Sequence, residues 1–157
     1  MSFLHHDDIR YNLAYKIITV SSSRTEENDI SGSLMASMVG NNAERALVKD
    51  NEVSILSELF NSYNSTDVFI YIGGTGASRL DQTSTAIRKI ADKEMRGFGE
   101  LFRYRSGGTF PYMSDSSLFI YQKKIIITLP GSEDAQKIGF ELLKEMVNHL
   151  YHEINKE

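Results

Sequence analysis

Two aspartates and a glycine-rich turn are the residues of this sequence whose types and spacing best suit chemistry. The turn at Gly73–Gly76 (GGTG) follows an apolar run at Val68–Ile72, and Asp81 stands five residues after its last glycine. Glycine lacks a Cβ atom, so such a turn lets backbone N–H groups approach a phosphate closely. A carboxylate beside a phosphate calls for a divalent cation between them. The pattern therefore predicts phosphoryl or nucleotidyl chemistry with Mg²⁺.

A second carboxylate, Asp50, follows another strand candidate at Ala46–Lys49. Two carboxylates on adjacent loops attract Mg²⁺ and the phosphates that it carries. Spacing alone leaves a structural alternative open, because Asp50 and Asp81 can each cap the helix that follows, and glycine turns without ligands are common. The turn matches neither the P-loop nor the dinucleotide-binding fingerprint.

Two further loops can contribute to the same site. Pro130–Ser132 follows an apolar run and precedes a long helical pattern, so a helix N-terminus there can offer N–H donors to a phosphate. The alternative is a routine loop in which Ser132 is the helix N-cap. The polar loop Ser21–Gly32 is long enough to cover a ligand, and its Arg24 can pair with a phosphate or with a neighbouring carboxylate such as Asp29.

The elements around these loops predict an α/β fold, a three-layer α/β/α sandwich with a mostly parallel central sheet. Strand candidates alternate with helical patterns, the strands at 16–20, 46–49, 68–72 and 125–129 and the helices at 33–42, 52–63, 83–92 and 132–150. Three of the strands are almost uniformly apolar, as expected when both faces are covered. Residues 97–118 break the alternation and predict a short helix followed by a loop or an irregular β excursion. Ligands of such sheets bind beyond the carboxyl ends of the strands.

Length and composition indicate one domain at residues 15–157, preceded by a polar lead-in at residues 1–14 that stays outside the core. The net charge of −4 argues against a nucleic-acid partner, and the absence of cysteine excludes disulfides, zinc–thiolate sites and thiol catalysis. No apolar run approaches the roughly 18 residues of a membrane span, and the first residues lack a secretory pattern. We therefore expect a cytoplasmic protein with no membrane partner.

Five motifs make the sequence resemble the MoaB/MogA family of molybdopterin-binding proteins, whose eukaryotic relatives include the G domain of gephyrin. In order they are ITVSSSRTEENDISG, VKDN, IGGTG with a following Asp-Gln, RGFGELFR and LPGS. The resemblance covers roughly residues 16–150. It implies a molybdopterin adenylyltransferase, which transfers AMP from Mg-ATP to the terminal phosphate of molybdopterin during molybdenum or tungsten cofactor biosynthesis and releases pyrophosphate.

The resemblance also implies roles for individual residues. Asp50 and Asp81 match the family's two catalytic aspartates, which work through Mg²⁺. The positions expected to bind molybdopterin or its phosphates are Ser21, Arg24, Gly73, Gly74, Thr75, Gly76, Ser78, Glu100, Ser114, Pro130, Gly131 and Ser132.

The resemblance further implies a homotrimer, or a hexamer built from two trimers, and hand-over of the product to a molybdenum-insertion protein. Apolar residues at Phe98, Leu101, Phe102 and Phe110 are candidates for the interface between subunits, and the same residues can instead belong to the core.

Three positions depart from the family pattern. Ser22 replaces an aspartate, Asp115 stands where the family has an arginine, and Asp134 stands where many members have a lysine. One reversed charge at about 5 Å changes a phosphate interaction by roughly 1–2 kcal/mol. A non-catalytic molybdopterin carrier or scaffold of the same fold is therefore an alternative, and a flavodoxin-like carrier with an FMN phosphate in the loop at residues 21–25 is a third. Retention of Asp50 and Asp81 favours the enzyme.

Overall fold

The computed structural model describes residues 10–156, so the lead-in residues 1–9 lie outside the described part of the chain. Strands and helices alternate along it in the order β1 Tyr15–Val20, α1 Ile30–Val39, β2 Ala43–Val48, α2 Glu52–Asn61, β3 Val68–Ile72, α3 Thr83–Ile90, β4 Lys93–Met95, α4 Arg96–Ser106, β5 Leu118–Tyr121, β6 Lys124–Leu129 and α5 Glu133–Asn155. Short 3₁₀ turns occupy Tyr63–Ser65 and Phe110–Met113. None of the helices formed by residues 10–156 combines the length and the apolar character needed to cross a membrane.

One six-stranded sheet forms the middle layer, in the order β2-β1-β3-β6-β5-β4. β2, β1, β3 and β6 pair in parallel. β5 pairs antiparallel with both β6 and β4. The predicted α/β sandwich with a mostly parallel sheet is thus confirmed. The antiparallel strand distinguishes this sheet from the wholly parallel flavodoxin-like arrangement.

Two apolar clusters cover the two faces of the sheet. Met35 of α1, Phe102 of α4 and Leu142 of α5 are buried on one face, and Ile55 of α2 and Ile87 of α3 are buried on the other. Every residue of β3 is buried between the two layers. Each large apolar side chain placed there contributes about 1.5–3 kcal/mol, so the central parallel strands anchor the loops that leave their carboxyl ends.

The structure decides between two alternatives for Phe98 and Phe102 and corrects one prediction about the core. Phe98 and Phe102 are 3% and 1% exposed, so neither belongs to an exposed interface surface. Leu13 is 6% exposed, and Tyr11 packs on the same cluster. The end of the lead-in is therefore part of the core, and the Tyr11 ring packs against Tyr151 of α5 with 4.8 Å between the ring centroids.

Several boundaries differ from the sequence prediction. α1 begins at Ile30 instead of residue 33, because Asp29 caps it by accepting the N–H of Gly32 at 3.1 Å. β2 begins at Ala43 instead of residue 46, since a polar edge strand gives no apolar run. Residues 97–118 form the predicted short helix, α4, followed by a loop, and β5, which was not predicted, begins at the last residue of that segment.

The β5–β6 hairpin determines which residues reach the ligand edge of the sheet. Its tip is Gln122–Lys123, where Gln122 adopts φ +53° and donates its N–H to Asp92 Oδ2 at 2.6 Å. Because β5 runs antiparallel to β6, the tip lies at the edge opposite to the carboxyl ends of β3 and β6. Residues 114–117, which lead into β5, therefore lie beside those carboxyl ends.

Candidate functional site

A cavity of about 630 Å³ opens at the carboxyl edge of the sheet. The glycine turn after β3 forms one wall, from Gly74 to Ala77, and the loop Pro130–Ser132 before α5 forms another. Asp81 and Ser114 also line it. Three segments that are far apart in the sequence thus meet around one space.

The glycine turn fits closely against the elements beneath it. Gly73 and Gly74 adopt φ +97° and +68°, which residues with a Cβ rarely adopt. A Cβ on Gly73 would lie 2.6 Å from the carbonyl oxygen of Val20, and one on Gly74 would lie 2.1 Å from Thr83 Oγ1. The peptide N–H of Thr83 also donates to the carbonyl of Gly74 at 3.0 Å. Gly73 is therefore required for packing on β1, whereas Gly74 borders the cavity.

Asp81 lies in the loop between the turn and α3. Its Oδ2 accepts the N–H of Ser78 at 3.1 Å, and a Cβ on Gly76 would lie only 2.7 Å from that oxygen. The N-cap of α3 is Gln82, whose side chain makes no capping bond. Asp81 is therefore not the helix cap that the structural alternative proposed, and Gly76 leaves the space that its carboxylate occupies.

Asp50 lies beside Gly74, since a Cβ there would stand 3.3 Å from Asp50 Oδ1, and it is not among the described residues that line the cavity. Its Oδ1 accepts the N–H of Gln82 at 3.3 Å. Burial raises the pKa of the Asp50 carboxyl, the bond from Gln82 opposes that rise, and the negative charge of Asp81 adds to it. The N-cap of α2 is Asn51, which accepts the N–H of Ser54 at 2.9 Å. Neither aspartate is thus used as a helix cap.

The two carboxylates fit a divalent cation. The charge of Asp81 raises the pKa of Asp50, and a cation close to both would relieve that repulsion. Within residues 10–156, no group of three or more His, Cys, Asp or Glu side chains forms a metal cluster. Mg²⁺ is usually held by one or two carboxylates together with substrate phosphates and water. The pair therefore suits Mg²⁺ that arrives with a nucleotide better than a permanently bound ion.

The loop before α5 is fixed by several hydrogen bonds. Ser132 accepts the N–H of Ala135 at 3.2 Å and so caps α5, as the structural alternative predicted. The side-chain amide of Gln136 donates to the carbonyls of Pro130 and Ser132, both at 2.8 Å, and Ser31 Oγ donates to the carbonyl of Gly131 at 2.6 Å. A helix N-terminus at a cavity wall favours an anion there.

Arg24 and Ser21 stabilise the first loop instead of lining the cavity. Arg24 lies 3.6 Å from Asp29 and 3.4 Å from the carbonyl of Gly131, and Ser21 Oγ accepts the N–H groups of Ser23 and Arg24. Asp29 is 3% exposed and also accepts from Thr19 Oγ1 at 2.6 Å. The sequence prediction named Asp29 only as a partner of Arg24, although a carboxylate directly before the apolar residues of α1 is a recognisable N-cap signal.

Residues 16–149 match the sequence profile described as "Probable molybdopterin binding domain". The molybdenum cofactor biosynthesis protein B of Staphylococcus epidermidis is 35% identical, and the alignment covers 97% of this chain and 96% of that protein. The chain belongs to the MoaB/MogA family. The protein of the same name from Staphylococcus carnosus is 36% identical over 89% of each chain.

Solved structures of related proteins support the same family assignment. A crystal structure of molybdenum cofactor biosynthesis protein B has a TM-score of 0.84 at 31% identity and covers 92% of this chain and 97% of its own. The tungsten cofactor synthesizing protein MoaB of Pyrococcus furiosus has a TM-score of 0.83 at 30% identity, with 94% and 100% covered. The resemblance stated from the five motifs is thereby confirmed.

The two acidic departures from the family pattern lie in different places. Asp134 lines the main cavity, whereas Asp115 lines a neighbouring pocket of about 470 Å³ together with Glu100 and with Ser114, which the two pockets share. Asp115 Oδ1 is buried and has no hydrogen-bond partner. Burial raises the pKa of Asp115, while Ser84 and Arg88 oppose that rise and Asp81 adds to it.

Ser114 connects the segment before β5 to the glycine turn. Its hydroxyl donates to Thr75 Oγ1 at 3.1 Å, and the N–H of Asp115 donates to the carbonyl of Thr75 at 2.9 Å. Ser78 is exposed, and neither it nor Glu100 is among the described residues that line the main cavity.

The sequence prediction missed part of the cavity wall in this MoaB/MogA protein. Phe110 and Met113 both line it, although Phe110 had been considered only as an interface or core residue. Thr83 was not considered, yet its Oγ1 is buried without a hydrogen-bond partner beneath Gly74. The available sequence signal was a cluster of apolar residues in a glycine-containing loop. Such a cluster does not indicate which side of the loop faces the cavity.

Proposed function

We propose that the protein is a molybdopterin adenylyltransferase, which transfers AMP from Mg-ATP to the terminal phosphate of molybdopterin. The observation that carries this proposal is the single cavity bounded by the glycine turn, Asp81, Ser114 and the N-terminus of α5. The relatives' names, molybdenum cofactor biosynthesis protein B and tungsten cofactor synthesizing protein, agree with a step in cofactor biosynthesis.

The reaction requires positioning and charge neutralisation more than a nucleophilic side chain. A phosphate oxygen of molybdopterin attacks the α-phosphorus of ATP, a new P–O bond forms, and the bond to the β-phosphate breaks so that pyrophosphate leaves. The backbone N–H groups of Gly74–Gly76 and of the first turn of α5 orient the phosphates. Asp50 and Asp81 would hold Mg²⁺, which would supply charge neutralisation for the triphosphate.

The raised pKa of Asp50 has a consequence for this reaction. A carboxyl group must be ionised to hold a cation, so protonation competes with Mg²⁺ at this position. As the pH is lowered, we therefore expect AMP transfer to decline at a higher pH than it would if Asp50 had the pKa of an ordinary aspartate.

Neutralising each aspartate tests the proposal. The purified protein is incubated with molybdopterin and Mg-ATP, and pyrophosphate release and the adenylylated product are followed. We expect Asp50→Asn and Asp81→Asn each to lower turnover by about 100-fold or more, because charge neutralisation is a large part of the catalysis. Glu141→Gln, which neutralises an exposed carboxylate on α5, is the matched control and should leave turnover unchanged. Undiminished turnover in both aspartate variants would refute the metal-holding role.

A non-catalytic molybdopterin carrier is the second candidate, and one observation favours it. Asp81 and Asp134 line the cavity, whereas none of its described lining residues is Lys or Arg. A carrier would bind molybdopterin without transferring AMP, and its affinity would be the same with and without Mg-ATP. Equilibrium binding measured beside the turnover assay separates the two functions.

The assembly and the hand-over follow from family membership and stay predictions for this chain. We propose a homotrimer or a hexamer that passes its product to a molybdenum-insertion protein. Sedimentation equilibrium of the purified protein tests the assembly, and a monomer at micromolar concentration would contradict it.

A further inference from the structure

The main cavity has two kinds of lining. The polar part comes from the glycine turn, Asp81 and the loop before α5. The apolar part comes from Phe102 of α4, Ile138 of α5, and Phe110 and Met113 of the segment between α4 and β5. Sites that combine apolar walls with a few polar groups bind ligands that have both characters. The cavity therefore suits a ligand in which a phosphate is joined to a flat ring.

Phe110 is unusually exposed for a residue that borders a cavity. It is 82% exposed, and Met113 is 57% exposed. A large apolar side chain left in water forgoes the free energy of burial, and a ligand that covers it recovers that free energy. An aromatic ring also offers a π-face on which a planar heterocycle can stack.

The segment that carries Phe110 is attached firmly to the polar wall at one end. After the 3₁₀ turn, Ser114 and Asp115 bond to Thr75 in the glycine turn at 3.1 and 2.9 Å. At the other end, Gly107 and Gly108 follow α4 with φ +75° and +74°, conformations that glycine adopts without strain. The segment that carries Phe110 is thus bonded to the glycine turn through Thr75. This attachment sets the distance between Phe110 and the turn, where the phosphate of a ligand would lie.

We infer that Phe110, together with Met113, is the ring subsite of this cavity. It stacks on the planar heteroaromatic ring of a ligand whose phosphate lies at the glycine turn. This inference rests on the proposed function, because both proposed substrates, molybdopterin and ATP, join such a ring to phosphate. The shared chemistry is a nitrogen heterocycle connected by a short linker to a phosphate.

Three small ligands separate the ring from the phosphate in a binding test. A pterin monophosphate and AMP each carry a ring, and ribose 5-phosphate has the phosphate without one. Calorimetric titration with Phe110→Ala should show affinity for the two ring ligands reduced by about 5- to 100-fold, the range found when a stacking aromatic is removed. Affinity for ribose 5-phosphate should change less than about twofold, because the phosphate contacts are untouched.

Two variants control for side effects of the substitution. Phe110→Tyr keeps the aromatic face and should retain the affinity of the original protein. Tyr104→Ala removes an aromatic that is 75% exposed on α4 and is not among the described residues lining the cavity, so it should leave binding unchanged. The melting temperature of Phe110→Ala should equal that of the original protein, since so exposed a side chain contributes little to folding.

A fluorescent reporter gives an independent measurement. The chain contains no tryptophan, so Phe110→Trp introduces a single one at the subsite. Stacking of a pterin or adenine ring should quench its emission, whereas ribose 5-phosphate should not. A response to the pterin alone or to AMP alone supports the subsite and identifies the ring that occupies it.

The outcomes distinguish this inference from the proposed function. If the original protein binds the ring ligands and Phe110→Ala binds them equally well, the subsite is refuted while the adenylyltransferase proposal stands. If ring binding depends on Phe110 but no AMP is transferred, the subsite stands and the catalytic proposal fails. If the original protein binds neither ring ligand, the subsite is refuted, and the AMP-transfer assay with the full substrates decides the catalytic proposal separately.

Discussion

An alanine at Gly76 should move the carboxylate of Asp81. Gly76 does not adopt positive φ, so alanine introduces no backbone strain there. The new Cβ would stand 2.7 Å from Asp81 Oδ2, whereas ordinary contact begins at 3.4 Å. Hydrogen bonds to the carbonyls of Gly74 and Thr75 hold the backbone before Gly76, so the side-chain oxygen must retreat, by about 0.7 Å as the difference between these distances.

That displacement has two expected effects of different size. The bond from the N–H of Ser78 to Asp81 Oδ2 is weakened, and because a hydrogen bond to a charged group contributes about 1.5–3 kcal/mol, a partial loss destabilises folding by about 1 kcal/mol. Misplacement of a catalytic group by about 1 Å lowers a rate by about 100-fold. We therefore expect Gly76→Ala to reduce AMP transfer by about 10- to 100-fold while the protein remains folded.

Urea unfolding and the AMP-transfer assay measure the two effects separately. Gly97→Ala is the matched control, because no atom lies within 4 Å of a Cβ there and alanine is the better helix former, worth up to about 1 kcal/mol. In an Asp81→Asn background, Gly76→Ala should lower turnover much less than it does alone, since the group it displaces has already lost its charge. Full turnover and unchanged stability in Gly76→Ala would show that the Asp81 carboxylate is not held as described.

Two further predictions concern the acidic departures from the family pattern. Asp115→Asn should stabilise the fold by at most about 1 kcal/mol at pH 7, because it removes the charge of a half-buried carboxylate whose ionised form burial disfavours. The raised pKa of Asp115 means that the native state binds its proton more tightly, so stability falls as pH rises through that pKa. The gain from asparagine should accordingly disappear below about pH 4, where both states are protonated, and urea unfolding across a pH series checks this; a gain that persists there would contradict the assignment. Asp134→Lys replaces a negative charge on the cavity wall by a positive one and should tighten AMP binding about tenfold at low salt, with a smaller gain in high salt. Calorimetric titration at two salt concentrations measures it, and an unchanged affinity at low salt would place the phosphate away from this wall.

The central strands could be predicted because burial on both faces leaves a continuous apolar run. β3 matches its predicted bounds, and β6 differs from them by one residue. β2 and β4 lie at the edges of the sheet, where polar side chains are tolerated, so no apolar run marks their ends. β5 is buried but only four residues long, and the polar residues before it obscured its start.

The site was predictable where backbone conformation constrains residue type. Gly74 and the turn around it are visible in the sequence because positive φ and close packing demand glycine. The cavity wall at Phe110 was not visible, since an exposed aromatic in a loop has no periodic pattern that states which way it faces. The separation of Asp115 from the main cavity was equally hidden, because it depends on how residues 114–117 enter an antiparallel strand.

Because of the direction of β5, the tip of the β5–β6 hairpin is a point where the protein can be attached to a dye or a support without disturbing a ligand in the cavity. The hairpin tip lies at the edge of the sheet opposite to the cavity, and its Lys123 is exposed. Since the chain has no cysteine, Lys123→Cys would create a unique thiol there. A dye or a solid support coupled through that thiol would hold the molecule by the far side, with the cavity facing the solution. Single-molecule and surface-based measurements of the site can therefore be made on a protein whose orientation is known.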